Sequence, residues 1–350
     1  MTPAEARAGF PVLEKIAYLN AGTCGPLARR TVEAMAEWEE RDLVEGRGGM
    51  ARFEGRSRLV KGLRERLGAL LQVPPDRLVL TSSTTEGCNL VITGLDLQPD
   101  DEVVTTDAEH PGLLSPLTAS GAAIKQAGVL ARPAGEALDA VLAEVTPRTR
   151  LVALSHVLWM NGHVMPIAEI KRRTGLPVLV DGAQSVGAIP VDAAGVDYYT
   201  VSGQKWLCGP ELTGALYVSD PASLRPRVAG FGFMHGEGVD RLALLHHPAG
   251  MLAGLLSALE DRPEWAFERA AEMAGRCREA LIAAGLAVHS EPGQGTLLSF
   301  EVGGDPPAAV QRARERGVVV RSLPNGWIRG SVGWWSDESD IERLVQAFAD

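Results

Sequence analysis

Short apolar runs alternate with amphipathic stretches through the middle of the chain. RLVLTSS (77–83), DEVVTTD (101–107), TRLVALSHV (149–157), LPVLVDGA (176–183) and VDYYTVSG (196–203) are rich in Val, Leu and Tyr. Small or polar residues bound each run, the pattern of buried strands. Between them TTEGCNLVITGL (84–95) and IAEIKRRTG (167–175) carry apolar residues at helical spacing. Strand alternating with helix predicts an α/β architecture on a mostly parallel central sheet. Past residue 260 the texture changes to a long helix (264–285), a strand (296–304), a helix (306–317), a strand VVVRSL (318–323) and a final helix (339–348). This predicts a large domain over 21–260 and a smaller α+β domain over 261–350. Residues 1–20 are expected to pack on the smaller one.

Several predicted strands end in polar residues: Thr81 to Thr85, Asp107 to His110, His156, Asp181 to Gln184, and Ser202 to Lys205. In an open α/β sheet the carboxyl ends of the strands face the ligand crevice, so these clusters are expected to meet. GRGGMA (46–51) formally fits a dinucleotide-binding glycine pattern. It follows a charged helix pattern rather than a strand and so lacks the context that fingerprint needs.

Composition narrows the class. With 45% hydrophobic and 22% charged residues, the chain is an ordinary globular protein and not a disordered one. Acidic residues outnumber basic ones 44 to 34, which argues against a nucleic-acid partner. No stretch reaches the roughly 18–20 consecutive apolar residues of a membrane-crossing helix. The first twenty residues lack the basic start and apolar centre of a secretory signal. Cys24, Cys88, Cys208 and Cys277 are scattered without zinc-ligand spacing, so they read as reduced thiols and no metal is expected. The expected location is the cytoplasm.

The densest chemical signal is VLVDGAQSVGAIPVDAAGVDYYTVSGQKWLCGP (178–210). Asp181 closes one predicted strand, and Lys205 follows the next. Pyridoxal phosphate chemistry needs such a pair. A lysine amine binds the cofactor as a Schiff base, and an acid keeps the pyridine nitrogen protonated so that the ring draws electrons from the substrate Cα. SSTTEG (82–87) reads as a helix start with Ser83 and Glu86 spaced as a capping box. Such a terminus offers free N–H groups to a phosphate. A lone lysine is more often a surface residue, and a lone box is more often plain capping. Side by side they point to a site.

DGAQSVGAIPVD, GVDYY and SGQKWLCGP together resemble the class V aminotransferase family of fold-type I pyridoxal phosphate enzymes, which includes cysteine desulfurases and selenocysteine lyases. Weaker likenesses at AYLNAG (17–22), SSTTEGCNL (82–90), Glu109 and His110, SHV (155–157) and VVVR (318–321) extend the match over nearly the whole chain. The resemblance implies Lys205 as the Schiff-base lysine, Asp181 as the partner of the pyridine nitrogen, and Gln184 as a hydrogen-bond partner of the ring hydroxyl. It implies Thr84, Thr85, Ser202 and Gln204 around the cofactor phosphate, with His110 stacked on the ring and able to help move protons. Arg329 aligns with the arginine that binds the substrate α-carboxylate, a task suited to its forked guanidinium. Arg321 and Asn20 are further candidate substrate contacts, and His156 reads as structural. A homodimer is implied too. His246, with His247 beside it, stands where the family has a threonine that reaches the neighbouring subunit's phosphate.

The chain also departs from the family. Desulfurases that hand sulfur onward carry a cysteine on a loop after the VVVR strand, whereas VVVRSLPNGWIRGSV (318–332) has none and its loop is nearly deleted. Trp159 stands where desulfurases usually have Asn, and Leu212 replaces a glycine the family often has. The expected activity is on a small L-amino acid. The substrate amine displaces Lys205, the freed lysine removes the Cα proton, and a C–S or C–Se bond breaks without a persulfide cysteine. Transamination and isopenicillin N epimerase-like chemistry are the alternatives. A non-catalytic dimer kept as a binding or regulatory module is the reading from another class.

Overall fold

The computed structural model describes residues 1–349 with the exception of Leu245. Strand β1 (Ala17–Tyr18) belongs to a small outlying sheet. The central sheet contains β2 (Leu78–Thr81), β3 (Glu102–Thr106), β4 (Ala123–Ala127), β5 (Thr149–Ser155), β6 (Val178–Asp181), β7 (Tyr198–Ser202) and β8 (Gly214–Val218). Their spatial order is β2-β8-β7-β6-β5-β3-β4. Neighbours are parallel except at β8, which runs antiparallel to both β2 and β7. The carboxyl ends of β2, β3, β5, β6 and β7 therefore open on one edge.

Helices α1 (Pro3–Ala8), α2 (Arg29–Glu45) and α3 (Met50–Leu71) precede the sheet. Helices α4 (Thr84–Gly94), α5 (Pro111–Ala119), α6 (Ala137–Ala143) and α7 (Ile167–Thr174) alternate with its strands. Successive residues of each strand enter opposite cores. Leu80, Val104, Val152 and Val180 pack with Leu63 of α3 and Ile170 of α7. Val79, Val103, Leu151 and Leu179 pack with Val91 of α4 and Leu113 of α5. Strands covered on both faces need apolar residues at every position, which is why five of them stand out in the sequence. β4 does not stand out, because AIKQA lies at the sheet edge and most of it is at least partly exposed.

After β8 come α8 (Phe231–His235), α9 (Ala249–Glu260) and α10 (Ala266–Ala283), then β9 (Leu297–Phe300) and α11 (Pro306–Glu315). VVVRSL is not the single strand its pattern predicts. Val318–Val319 (β10) pairs in parallel with β1. The chain then crosses at Val320 into β11 (Arg321–Ser322), which pairs antiparallel with β12 (Ile328–Ser331) next to β9. Two partners divide the backbone groups of one apolar run, and side-chain periodicity carries no trace of that division. Helix α12 (Glu338–Phe348) closes the chain. Ala17 and Leu19 enter the core of these late elements, and Arg7 is ion-paired with Asp337 and Asp340.

GRGGMA spans the turn between α2 and α3 and the first two residues of α3, with Gly46 and Gly49 at φ +81° and +95°, and it follows a helix directly rather than a strand. Among the described residues no helix is long and apolar enough to cross a membrane.

Candidate active site

Asp181 is the buried last residue of β6. Its Oδ1 accepts the Ala183 N–H at 2.9 Å and lies 3.5 Å from Thr200 Oγ1. Its Oδ2 has no hydrogen-bond partner among the described residues. On the neighbouring strand β7 the chain runs through Ser202 and leaves the sheet to reach Lys205. Burial pushes the Lys205 amine down to about 8; the Asp181 carboxylate opposes this shift and Arg329 adds to it. A lysine in that range keeps a useful neutral fraction near neutral pH, and the neutral amine is the nucleophile.

The N-terminal loop packs against this pair. Gln184 Nε2 donates to the Gly22 carbonyl at 2.9 Å, and Gln184 Oε1 accepts the Trp206 indole N–H at 3.0 Å. Both bonds fix the amide and leave one Nε2 hydrogen free. The Gly25 N–H donates to the Gln204 carbonyl at 2.7 Å. A Cβ on Gly25 would run into the Lys205 carbonyl oxygen, so only glycine permits this approach.

Helix α4 begins beside Ser202, because Gly214 of β8 pairs with both Ser202 and Thr81. Ser83 Oγ accepts the Glu86 N–H at 3.1 Å as a cap. The reciprocal half of the expected capping box is displaced: the Glu86 carboxylate takes the N–H (2.8 Å) and the hydroxyl of Ser82 instead. The N–H groups of Thr84 and Thr85 in the first turn have no intrahelical acceptor. The exposed Thr85 hydroxyl lies close to Gly112, whose Cβ would approach it to 2.7 Å. A dianionic phosphate suits this turn.

His110 caps α5, its Nδ1 accepting the Gly112 N–H at 3.0 Å. The proton of the neutral ring therefore sits on Nε2. Burial and the Lys205 charge lower its pKa and favour that neutral form. The Trp159 ring meets His110 edge to face, with centroids 5.2 Å apart.

Register places Arg321 directly opposite Arg329 across β11 and β12. Arg329 is fully buried and donates from Nη1 to the Trp159 carbonyl at 2.9 Å. Its Nε and Nη2 are buried without an acceptor. Burial, with Arg321 adding to it, pushes the guanidinium down to about 9. Arg321 Nη1 donates to Thr23 Oγ1 at 3.4 Å, and that hydroxyl donates to Asn20 Oδ1 at 2.9 Å. Asn20 thus stands one residue back from the arginines. Two adjacent cations with no acid between them among the described residues form a receptor for an anion.

The Lys205 amine, the Asp181 carboxylate, the open first turn of α4 and the paired arginines Arg321 and Arg329 therefore lie toward one edge of the sheet. His246 and His247 do not join them; with Arg56 and Arg64 they line a separate cavity of about 210 Å³. His156 is buried, with Nδ1 2.7 Å from the Tyr199 hydroxyl, and burial pushes it down to about 4, so it is neutral. Sequence reasoning assigned no part to Trp206, to Thr200 or to Glu109. Glu109 is a buried carboxyl that accepts from the Ser155 N–H and from the hydroxyls of Ser155 and Thr106, and burial pushes it up to about 7. Trp206 follows Lys205 in the quoted motif, which was its one available signal. Cys24 is the only partly exposed cysteine, with Sγ 3.8 Å from Gln204 Nε2; the other three are buried.

The family model for class-V aminotransferases matches residues 17–241. A probable cysteine desulfurase of Methanothermobacter thermautotrophicus is 31% identical over 73% of this chain and 67% of its own length. An isopenicillin N epimerase of Amycolatopsis lactamdurans is 31% identical over 66% of this chain, which spans 61% of the epimerase. The solved complex of the cystine C–S lyase C-DES with its reaction product cysteine persulfide has a TM-score of 0.91 and 30% identity, covering 97% of this chain and 99% of that one. A C-DES mutant with glycine covalently linked to the PLP cofactor has the same TM-score at 29% identity, covering 98% and 99%. The chain is a member of the class V aminotransferase family, with the fold-type I architecture of its pyridoxal phosphate enzymes.

Proposed function

We propose that this pyridoxal phosphate-dependent enzyme breaks the Cβ–S or Cβ–Se bond of a small L-amino acid without a persulfide cysteine of its own. One observation carries the second half of that reading. The connection from β11 to β12 is a tight hairpin, closed by the Leu323 N–H on the Trp327 carbonyl at 2.7 Å and the Gly326 N–H on the Leu323 carbonyl at 3.0 Å. It contains no cysteine and is too short to carry one across the site. Similarity to a cystine C–S lyase supports the same outcome.

The cofactor, when bound, supplies an electron-accepting ring conjugated to the substrate Cα. The first turn of α4, with Thr84, Thr85, Ser202 and Gln204, would hold its phosphate. Asp181 would keep its pyridine nitrogen protonated, Gln184 would face its ring hydroxyl, and His110 would cover its face. Arg329 would grip the substrate carboxylate and hold the Cα–H bond toward Lys205. Lys205 Nζ takes that proton, and the sulfur leaves with the bonding pair from Cβ. Hydrolysis of the remaining fragment gives pyruvate and ammonia. A disulfide substrate releases its sulfur as a persulfide.

Epimerisation is the second reading, supported by the likeness to isopenicillin N epimerase and by the proton that His110 carries on Nε2. We also propose that the chain forms a homodimer.

The test is to incubate the yellow holoprotein with L-cystine, L-cysteine and L-selenocysteine and to assay pyruvate, alanine, sulfide, persulfide and keto acids. Pyruvate with released sulfur is expected, and it should be lost in Lys205→Ala together with the absorbance band of the lysine-bound cofactor, recorded before any amino acid is added. Cys24→Ser should leave the release rate unchanged. Alanine as the co-product would instead identify a desulfurase. Inverted Cα configuration without pyruvate would identify an epimerase.

A further inference from the structure

We infer that Trp159 is a further substrate-binding residue, its indole N–H forming a third donor beside Nε and Nη2 of Arg329 in the cradle for the substrate carboxylate. The inference rests on the reading of Arg329 as the carboxylate anchor. Trp159 is 7% exposed, and its Nε1 is buried without an acceptor, as are the two Arg329 nitrogens. The Arg329 guanidinium lies 6.0 Å from the Trp159 ring centroid and that of Arg321 lies 5.7 Å from it. The Trp159 carbonyl already occupies Arg329 Nη1 and so sets which guanidinium donors remain free. Met160 and Leu323 pack with Trp159, and His110 meets its ring edge to face.

Trp38, Trp334 and Trp335 also bury an unpaired indole N–H. Trp159 differs from them in having two guanidinium groups within 6.0 Å of its ring centroid, neither with an acidic partner among the described residues. A buried donor without an acceptor is a standing cost to the ligand-free fold, and one acceptor group can relieve three such donors together. A carboxylate has two oxygens and about four lone-pair positions, enough for a guanidinium fork and one further N–H. Asparagine could offer a comparable donor at this position, but from a much smaller side chain. Tryptophan keeps the donor and walls the pocket.

The experiment compares the holoenzyme with its Trp159→Phe variant, which keeps an aromatic wall and loses the N–H. Each is titrated with L-alanine and with ethylamine, which has no carboxylate, and the absorbance of the bound cofactor is followed. The expected result is about tenfold weaker binding of L-alanine to the variant, the size of a hydrogen bond to a charged group, with ethylamine binding unchanged. Unchanged L-alanine binding would overturn the inference, and so would an equal loss for both ligands, which marks a purely structural role. If the phenylalanine variant does not fold, benzothienylalanine at position 159 replaces the indole N–H by sulfur at nearly constant volume and makes the same comparison. Arg329→Lys leaving the L-alanine titration unchanged would overturn anchor and cradle together. Failure of the lyase reading looks different: wild-type enzyme releases no pyruvate from L-cystine, while the binding comparison still stands.

Discussion

Arg329 is fully buried with Nε and Nη2 unpaired, a state that a bound anion would relieve. A fully buried guanidinium with two unpaired nitrogens destabilises the free protein, because its charge has left water without a counter-ion. Arg329→Met should therefore raise the melting temperature of the cofactor-free protein while abolishing turnover of amino acids. Arg329→Lys keeps a charge and loses the fork, so kcat/KM should drop roughly tenfold or more, about 1.4 kcal/mol. A melting temperature that falls in both variants, with kcat/KM unchanged, would mark Arg329 as a structural residue. The pairing of Lys205 with Asp181 was legible because both lie in one short segment. The state of Arg329 was not, because its surroundings come from β11, from Trp159 and from the loop at Gly22, which sequence spacing does not connect.

At the scale of elements, the same contrast separates what the pattern disclosed from what it concealed. Five central strands announced themselves through burial on both faces. The break at Val320 and the edge strand β4 did not, since one depends on distant pairing partners and the other on exposed polar side chains. In the turn before β8, Leu212, which stands where the family often has glycine, is 61% exposed and sits at φ +57°, in the region that favours glycine. Leu212→Gly should raise stability by about 0.5–1 kcal/mol, read as a later denaturation midpoint.

The ends of β3 and β5 hold two buried groups with opposite responses to acid. Glu109 sits up at about 7 against an ordinary 4.5, so the folded chain holds a proton that the unfolded chain releases. That contribution to stability is full below 4.5 and is lost as pH rises through 7. His156 sits down at about 4 against 6.5, so its contribution is lost as pH falls from 6.5 toward 4. The two slopes oppose each other over nearly the same interval. Glu109→Gln removes the first, so its melting temperature should fall more steeply on acidification than that of wild type. Parallel curves would contradict this pairing.

For the whole molecule, Leu43, Val44, Met50 and Phe53 leave a cluster of exposed apolar side chains around the junction of α2 and α3. Sedimentation should show a dimer, and Leu43→Glu with Phe53→Glu should shift it toward monomer. A wild-type monomer with full activity would end the dimer proposal.

The loop at residues 20–25 touches Gln204 on one side and packs against Arg329 on the other, where a Cβ on Gly22 would come within 2.6 Å of Nη2. Ribosomes deliver a chain from its amino end, and its parts fold in turn as they emerge. The loop, Asp181 and Lys205 are all delivered before the hairpin that bears the two arginines. The residues proposed to hold the cofactor thus leave the ribosome before those proposed to hold the substrate carboxylate.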